Sequence, residues 1–445
     1  MINDLDQDLI RYIIKRERKK KKLVLEDLRD KNISTATISY IEKGEKVSEE
    51  KFNYLLSKLG LDQSKLKKHV DEEEENIQEL KFQLEFIEAM LDNGDIDVVM
   101  NQLDNIRVED FHPLAPNTYF LKGRCYYTEK EWKKAEQNFS HAIHICHQHF
   151  LNPKDNIIAL CYKQLSSCSY NQNDLEKALS YLDRGLEEFR EDKGKSDVKY
   201  TLLSNKIYYL LLSSQTEQAK QLLNEVWPLI QQIELTRVVL DLYKLRSILL
   251  RKSKLYPEAI ECCKEGIRKG RRSLFASRTY DLILVLGSIY LQQKDFNKAN
   301  QYFHMVINLD KRFKFPRRHL DAHTYLGVQH SSQFQWGLAS EHLDKAIKIG
   351  REINDAYRLA RALIIRGICE LKQENFQDAV PYFLEAIDLT KERLYKHRQV
   401  KALFFLAECY DKMNMTEQFF KSTQQLFYLL KELKVEGDDD DLYEV

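Results

Sequence analysis

The chain has 445 residues and no formal net charge, because 69 Lys and Arg balance 69 Asp and Glu. Its 14 glycines and 7 prolines are too few for a protein built on tight β-turns, and they suit long helices joined by short connections. No apolar run approaches the ~18 residues of a membrane span, no basic-then-apolar leader opens the chain, and the eight scattered cysteines contain no Cys-x-x-Cys pair. A cytoplasmic protein with reduced thiols, no membrane partner, no metal and no cofactor is the expectation.

The charge is unevenly spread. Residues 1–69 hold 17 Lys and Arg against 12 Asp and Glu, and the remainder holds 52 against 57. The basic excess is densest from Lys15 to Lys22, an acidic run follows at Asp71–Glu75, and Asp438 to Asp441 lie near the C-terminus. This divides the chain into 1–69, an acidic linker at 70–76, a repeat domain at 77–435 and an acidic tail at 436–445.

Residues 4–69 read as four or five short helices. Leu9, Ile13 and Ile14 give the first a buried stripe, and Leu25 and Leu28 anchor a short second one. Asn32 is a residue type that tolerates a left-handed turn. Ser34 is suited to an N-cap, Ile38 and Ile41 fall on one face, and Gly44 ends that helix. Phe52, Leu55, Leu56 and Leu59 supply the next apolar face. The pattern Ser34-x-x-Thr37-Ile38-Ser39-x-Ile41-Glu42-x-Gly44 resembles the recognition helix of the Xre/Cro repressors. The resemblance implies that Thr35, Ala36, Ser39 and Tyr40 lie toward bases, with Thr37 in the same helix, and that Lys43 and residues 18–22 meet phosphates. The alternative is a small helical cap.

From residue 118 onward the chain repeats. Ala135, Ala178, Ala219, Ala259, Ala299, Ala339 and Ala379 recur at intervals of 40 to 43, and Gly123, Gly287, Gly327 and Gly367 each stand twelve residues before one of them. With Tyr126, Phe139 and Ala142 completing the first copy, this resembles a tetratricopeptide repeat. Asn93-Gly94 marks the turn of one more helix pair at 76–108. The fold class is therefore all-α: a helix-turn-helix domain followed by a right-handed α-solenoid of tetratricopeptide-like repeats.

The first helix of each pair lines the concave surface of such an array. Positions counted from the glycine site give Lys163, Gln164 and Asn171 in the second repeat, and Asn205 and Tyr208 in the third. Asp241, Lys244 and Arg251 come from the fourth, Asp281 from the fifth, Asp321 from the sixth and Arg361 from the seventh. Amide and charged groups of this kind can hold the backbone and termini of an extended peptide, and Asn205 is placed to clamp its backbone. Phosphate loops, nucleophile elbows and zinc-protease motifs are absent from the sequence, so nothing in it supports an enzyme. The histidines at 141, 144, 147 and 149 fan around a helix and read as surface groups.

A helix-turn-helix ahead of such repeats resembles the RRNPP family of intracellular peptide-pheromone receptors. The resemblance implies a homodimer that binds double-stranded operator DNA and is switched by a short signalling peptide in the repeat groove. It also leaves open a repeat-domain antagonist of a response regulator or phosphorelay protein, and a generic scaffold.

Overall fold

In the computed structural model, residues 6–273, 276–308, 315–391 and 395–433 are described, and the 436–445 tail lies outside them. The described residues form twenty-one α-helices and no strand beyond one isolated bridge, Asp155 with Gly194. The chain divides into two compact units, one of residues 1–168 with 183–198 and one of residues 169–182 with 199–445.

The first unit begins with α1 (Gln7–Lys20), α2 (Thr35–Lys43), α3 (Glu49–Lys58) and α4 (Gln63–Asn93). Ile13, Ile38, Leu55 and Leu66 are fully buried, and they share one core with Phe111 from beyond α5 (Ile96–Asn105). Ser34 caps α2 by accepting from the Thr37 N–H at 3.1 Å, and Gly44 ends it in the left-handed region at φ 80°. Two expectations fail here. The helix anchored by Leu25 and Leu28 is a single 3₁₀ turn, Glu26–Leu28. Asn32 does not take a positive φ, because the Asp30 carboxylate accepts the N–H groups of Asn32 and Ile33 and turns the chain in its place. Residues 70–76 lie inside α4, which Asp62 caps. Glutamate is a good helix former, so the acidic run extends that helix. Gly94 (φ 98°) then makes the expected turn into α5.

Eight helix pairs follow: α6 (Ala115–Thr128) with α7 (Trp132–Gln148), α8 (Ile157–Asn171) with α9 (Leu175–Glu188), α10 (Asp197–Leu212) with α11 (Thr216–Val226), and α12 (Thr236–Lys252) with α13 (Tyr256–Arg272). After them come α14 (Ala276–Gln292) with α15 (Phe296–Asn308), α16 (Pro316–Ser332) with α17 (Trp336–Glu352), α18 (Ala356–Lys372) with α19 (Phe376–Lys391), and α20 (Lys396–Lys412) with α21 (Thr416–Leu433). All seven periodic alanines are fully buried. A Cβ on Gly287 or Gly367 would come within 2.7 Å of the Phe303 or Phe383 ring, so glycine is what lets the two helices of a pair close. Five residues before each alanine stands a non-glycine residue at positive φ: Lys130, Asn173, Ser214, Lys254, Lys294, Phe334 and Glu374. The short turns between paired helices are thus made without glycine, which accounts for its scarcity.

Candidate functional site

Within the second unit, the first helices of successive pairs carry a ladder of ion pairs. Asp241, Asp281 and Asp321 recur every forty residues, and so do Arg278, Arg318 and Arg358. Each arginine reaches back to the aspartate of the preceding repeat. Arg278 Nε lies 3.0 Å from Asp241, Arg318 Nε 2.7 Å from Asp281, and Arg358 Nε 2.9 Å from Asp321. Lys244 adds weaker pairs at 3.6 Å to Asp241 and 4.0 Å to Asp281. Burial pushes the Asp281 carboxyl up, but Lys244, Arg318 and Arg278 outweigh it and hold the group below its ordinary range.

The ladder meets the end of α8. Arg358 donates to the Tyr208 hydroxyl at 3.2 Å and to the Tyr170 hydroxyl at 3.4 Å, and the two hydroxyls are 3.2 Å apart. Arg317 bonds the Asn171 side chain at 2.9 Å and pairs with Asp355, which also holds Arg358 at 3.0 Å. Asn173 bonds the Asn354 carbonyl and the Ala356 N–H. The contacts of Arg317 with Asn171, of Arg358 with the two tyrosines and of Asn173 with residues 354 and 356 join positions more than 140 apart. Burial raises the Tyr208 phenol, yet Arg358 and Lys244 bring it below its usual value, while burial leads Tyr170 to stay well above. Arg358 therefore favours the ionised form at both phenols, against their burial.

No family model matches the sequence, and no curated protein matches it. Among solved structures, a Rap protein complexed with competence and sporulation factor aligns over 82% of this chain and 99% of that one, at 15% identity and a TM-score of 0.60. The apo form of the quorum sensor NprR from B. thuringiensis aligns over 73% and 94%, at 13% identity and 0.53. The apo form of RapI aligns over 62% and 97%, at 14% identity and 0.50. The fold is shared with Rap and NprR.

Of the groove residues expected from the sequence, Asn171, Tyr208, Asp241, Lys244, Asp281 and Asp321 come together in this network. Arg361 lies on the same helix as Arg358, stacked 4.5 Å over the Tyr325 ring. Arg251 is buried and donates to the Ser288 hydroxyl at 2.7 Å, so it serves the packing of neighbouring repeats. Asn205 is half-buried on α10. Lys163 and Gln164 belong to the first unit and bond each other at 3.1 Å. Arg278, Arg318 and Arg358 were missed because positions were read only from six residues before the glycine site, and these lie nine before it. Their forty-residue recurrence was visible in the sequence.

In the first unit, Ala36 and Tyr40 are exposed on α2, and Thr35, Thr37 and Ser39 are half-buried. Lys43 lies 4.8 Å over the Phe150 ring, and its carbonyl accepts from Arg11. The basic run is divided: Lys19 to Lys22 are exposed, while Arg16 and Arg18 turn toward the protein. Arg18 is buried and forks onto Glu42 at 2.6 and 2.8 Å, Arg16 pairs with Glu73, Lys19 covers Phe111, and Lys21 donates to the Leu59 carbonyl. The expectation that Arg18 meets phosphate is corrected, because its guanidinium ties α1 to α2. Contacts of Asp6 with Lys154 and of Lys15 with His149 fasten α1 to the segment after α7. His141 stands beside Asp110 and the Tyr119 ring, and the described residues offer no group of three metal ligands.

Proposed function

We propose that this chain is a receptor for a short signalling peptide, bound along the ladder face of the second unit, and that its first unit reads operator DNA through α2 as part of a homodimer in the cytoplasm. The observation that carries the peptide reading is the continuous row of guanidinium, carboxylate, amide and phenol groups on successive repeats. Such a row can satisfy both the N–H and C=O groups of an extended backbone. The fold shared with Rap and NprR supports it. For DNA, support comes from the capped α2, whose Ala36 and Tyr40 are open to solvent. The proposed switch is differential: peptide binds one arrangement of the ladder better than another, and DNA affinity follows.

A second reading has its own observation. The helix that should precede the turn is only Glu26–Leu28, and the two arginines of the basic run, Arg16 and Arg18, are spent on Glu73 and Glu42. Both features favour a protein partner, such as a response regulator, over DNA. A salt series of binding to DNA from the gene's own promoter separates the two. Affinity that falls steeply with salt, and that is abolished when Ala36 and Tyr40 are replaced by Glu, supports the DNA reading. Binding that is weak and indifferent to those changes overturns it in favour of the protein partner.

A further inference from the structure

The last described helix pair departs from its predecessors at positions that are buried elsewhere in the stack. Counted back in steps of forty, Phe404 on α20 stands where Ile364, Thr324 and Leu284 stand on earlier first helices. Phe427 on α21 stands where Ile387 and Ile347 stand on earlier second helices. Those five side chains are buried, whereas Phe404 and Phe427 are 54% and 63% exposed. Phe420 and Tyr428, also on α21, are 64% and 61% exposed. The end of a repeat array needs a polar outer face to stay in solution. Four aromatic rings open to water are the reverse, and such a patch marks a surface that packs against another molecule.

The pattern along α21 says what that molecule is. Glu417, Phe420, Gln424, Phe427 and Lys431 are all exposed and follow one another at steps of 3, 4, 3 and 4 residues. That is the spacing of a stripe which packs along a second helix. The stripe is also complementary to itself. Glu417 lies seven residues before Gln424 and Lys431 seven after it, with Phe420 four before and Tyr428 four after. Laid antiparallel on a copy of itself about Gln424, it sets Glu417 against Lys431 of the partner subunit at both ends, with aromatic rings between. Laid parallel, it would set glutamate on glutamate and lysine on lysine. A two-fold interface has this reciprocal form, in which one residue meets a second and the second meets the first. We infer that the exposed face of α20 and α21 is a dimer surface whose occupant is a second copy of this chain, with the two α21 helices antiparallel about Gln424. The inference rests on the homodimer reading and deepens it by naming the surface and the register.

The test is sedimentation equilibrium of the full-length protein across a concentration series. A reversible dimer is expected, with a dissociation constant raised at least about thirty-fold by Phe427→Ala. Glu417→Lys leaves lysine at both ends of the stripe, and Lys431→Glu leaves glutamate at both. Each variant alone should dimerise at least about ten-fold more weakly than the parent. An equimolar mixture of the two restores opposite charges at both ends, so a heterodimer within about two-fold of the parent affinity is expected. Both charged positions are exposed, and an unchanged helical circular dichroism spectrum would show that each variant folds. Weakening by Phe427→Ala with no recovery in the mixture would overturn the antiparallel register. A dimer indifferent to every change would overturn the surface and leave the homodimer reading standing. A monomer at every concentration would overturn both, and would assign the stripe to residues 434–445 or to another protein.

Discussion

The two units use the same ion pair in opposite ways. In the second, Arg–Asp pairs recur at one fixed step, each tying a repeat to the one before. In the first, Arg18–Glu42 and Arg16–Glu73 are single, aperiodic pairs that hold α1 against α2 and α4. A periodic pair shares its task with its neighbours and makes a departure from the pattern informative. A singular pair carries its junction alone.

That contrast breaks most visibly at Arg18. Arg18→Met leaves Glu42 buried without its fork and should cost about 3 kcal/mol or more. Thermal unfolding should then show the first unit melting ahead of the second, and a single unchanged transition would deny Arg18 its role. Next comes Gly367→Ala, where the new Cβ meets the Phe383 ring. A loss of about 1–3 kcal/mol is expected from overpacking, read by urea denaturation. Little or no loss would mean that the helix pair has room to spare.

The smallest effect sharpens the comparison by adding pH. His323 and His342 lie 2.9 Å apart between α16 and α17, and burial, with neighbouring histidines and Lys345, lowers both to about 4. Each is a base whose folded value lies below its unfolded one. The stability they contribute is therefore present above about 6.5 and lost as pH falls toward 4. Both side chains are partly exposed, so after solvent screening the loss is about 1 kcal/mol. His342→Gln should flatten the dependence of the second unit's melting on pH in that window. An unchanged slope would place the titration elsewhere.

Much of the fold was legible because its causes are local and repeated. The buried alanines, the close-packing glycines and the Ser34 and Gly44 caps each follow from a residue type at a fixed spacing. The ladder was half legible. Its aspartates fell within the helix positions first considered, while its arginines lay one turn earlier and needed the forty-residue recurrence to be followed along the whole chain. The joining of Tyr170 and Asn173 to residues near 355 was not legible, because no local pattern encodes which distant repeats meet. The 3₁₀ turn at Glu26–Leu28 was misread for a related reason. Two leucines three apart suit a helix, but the chain turns extended at Arg29, and Asp30, which also accepts the Tyr54 hydroxyl at 2.6 Å, holds the next turn instead.

The ladder's fixed step makes it indifferent to length. If the forty residues from 282 to 321 were excised, Arg358 would fall 37 residues after Asp281, the spacing that Arg318 now has. Each repeat with aspartate on one flank and arginine on the other behaves as an interchangeable coupling, male at one end and female at the other. A stack of such pieces can be lengthened or shortened in whole units with its internal pairing intact.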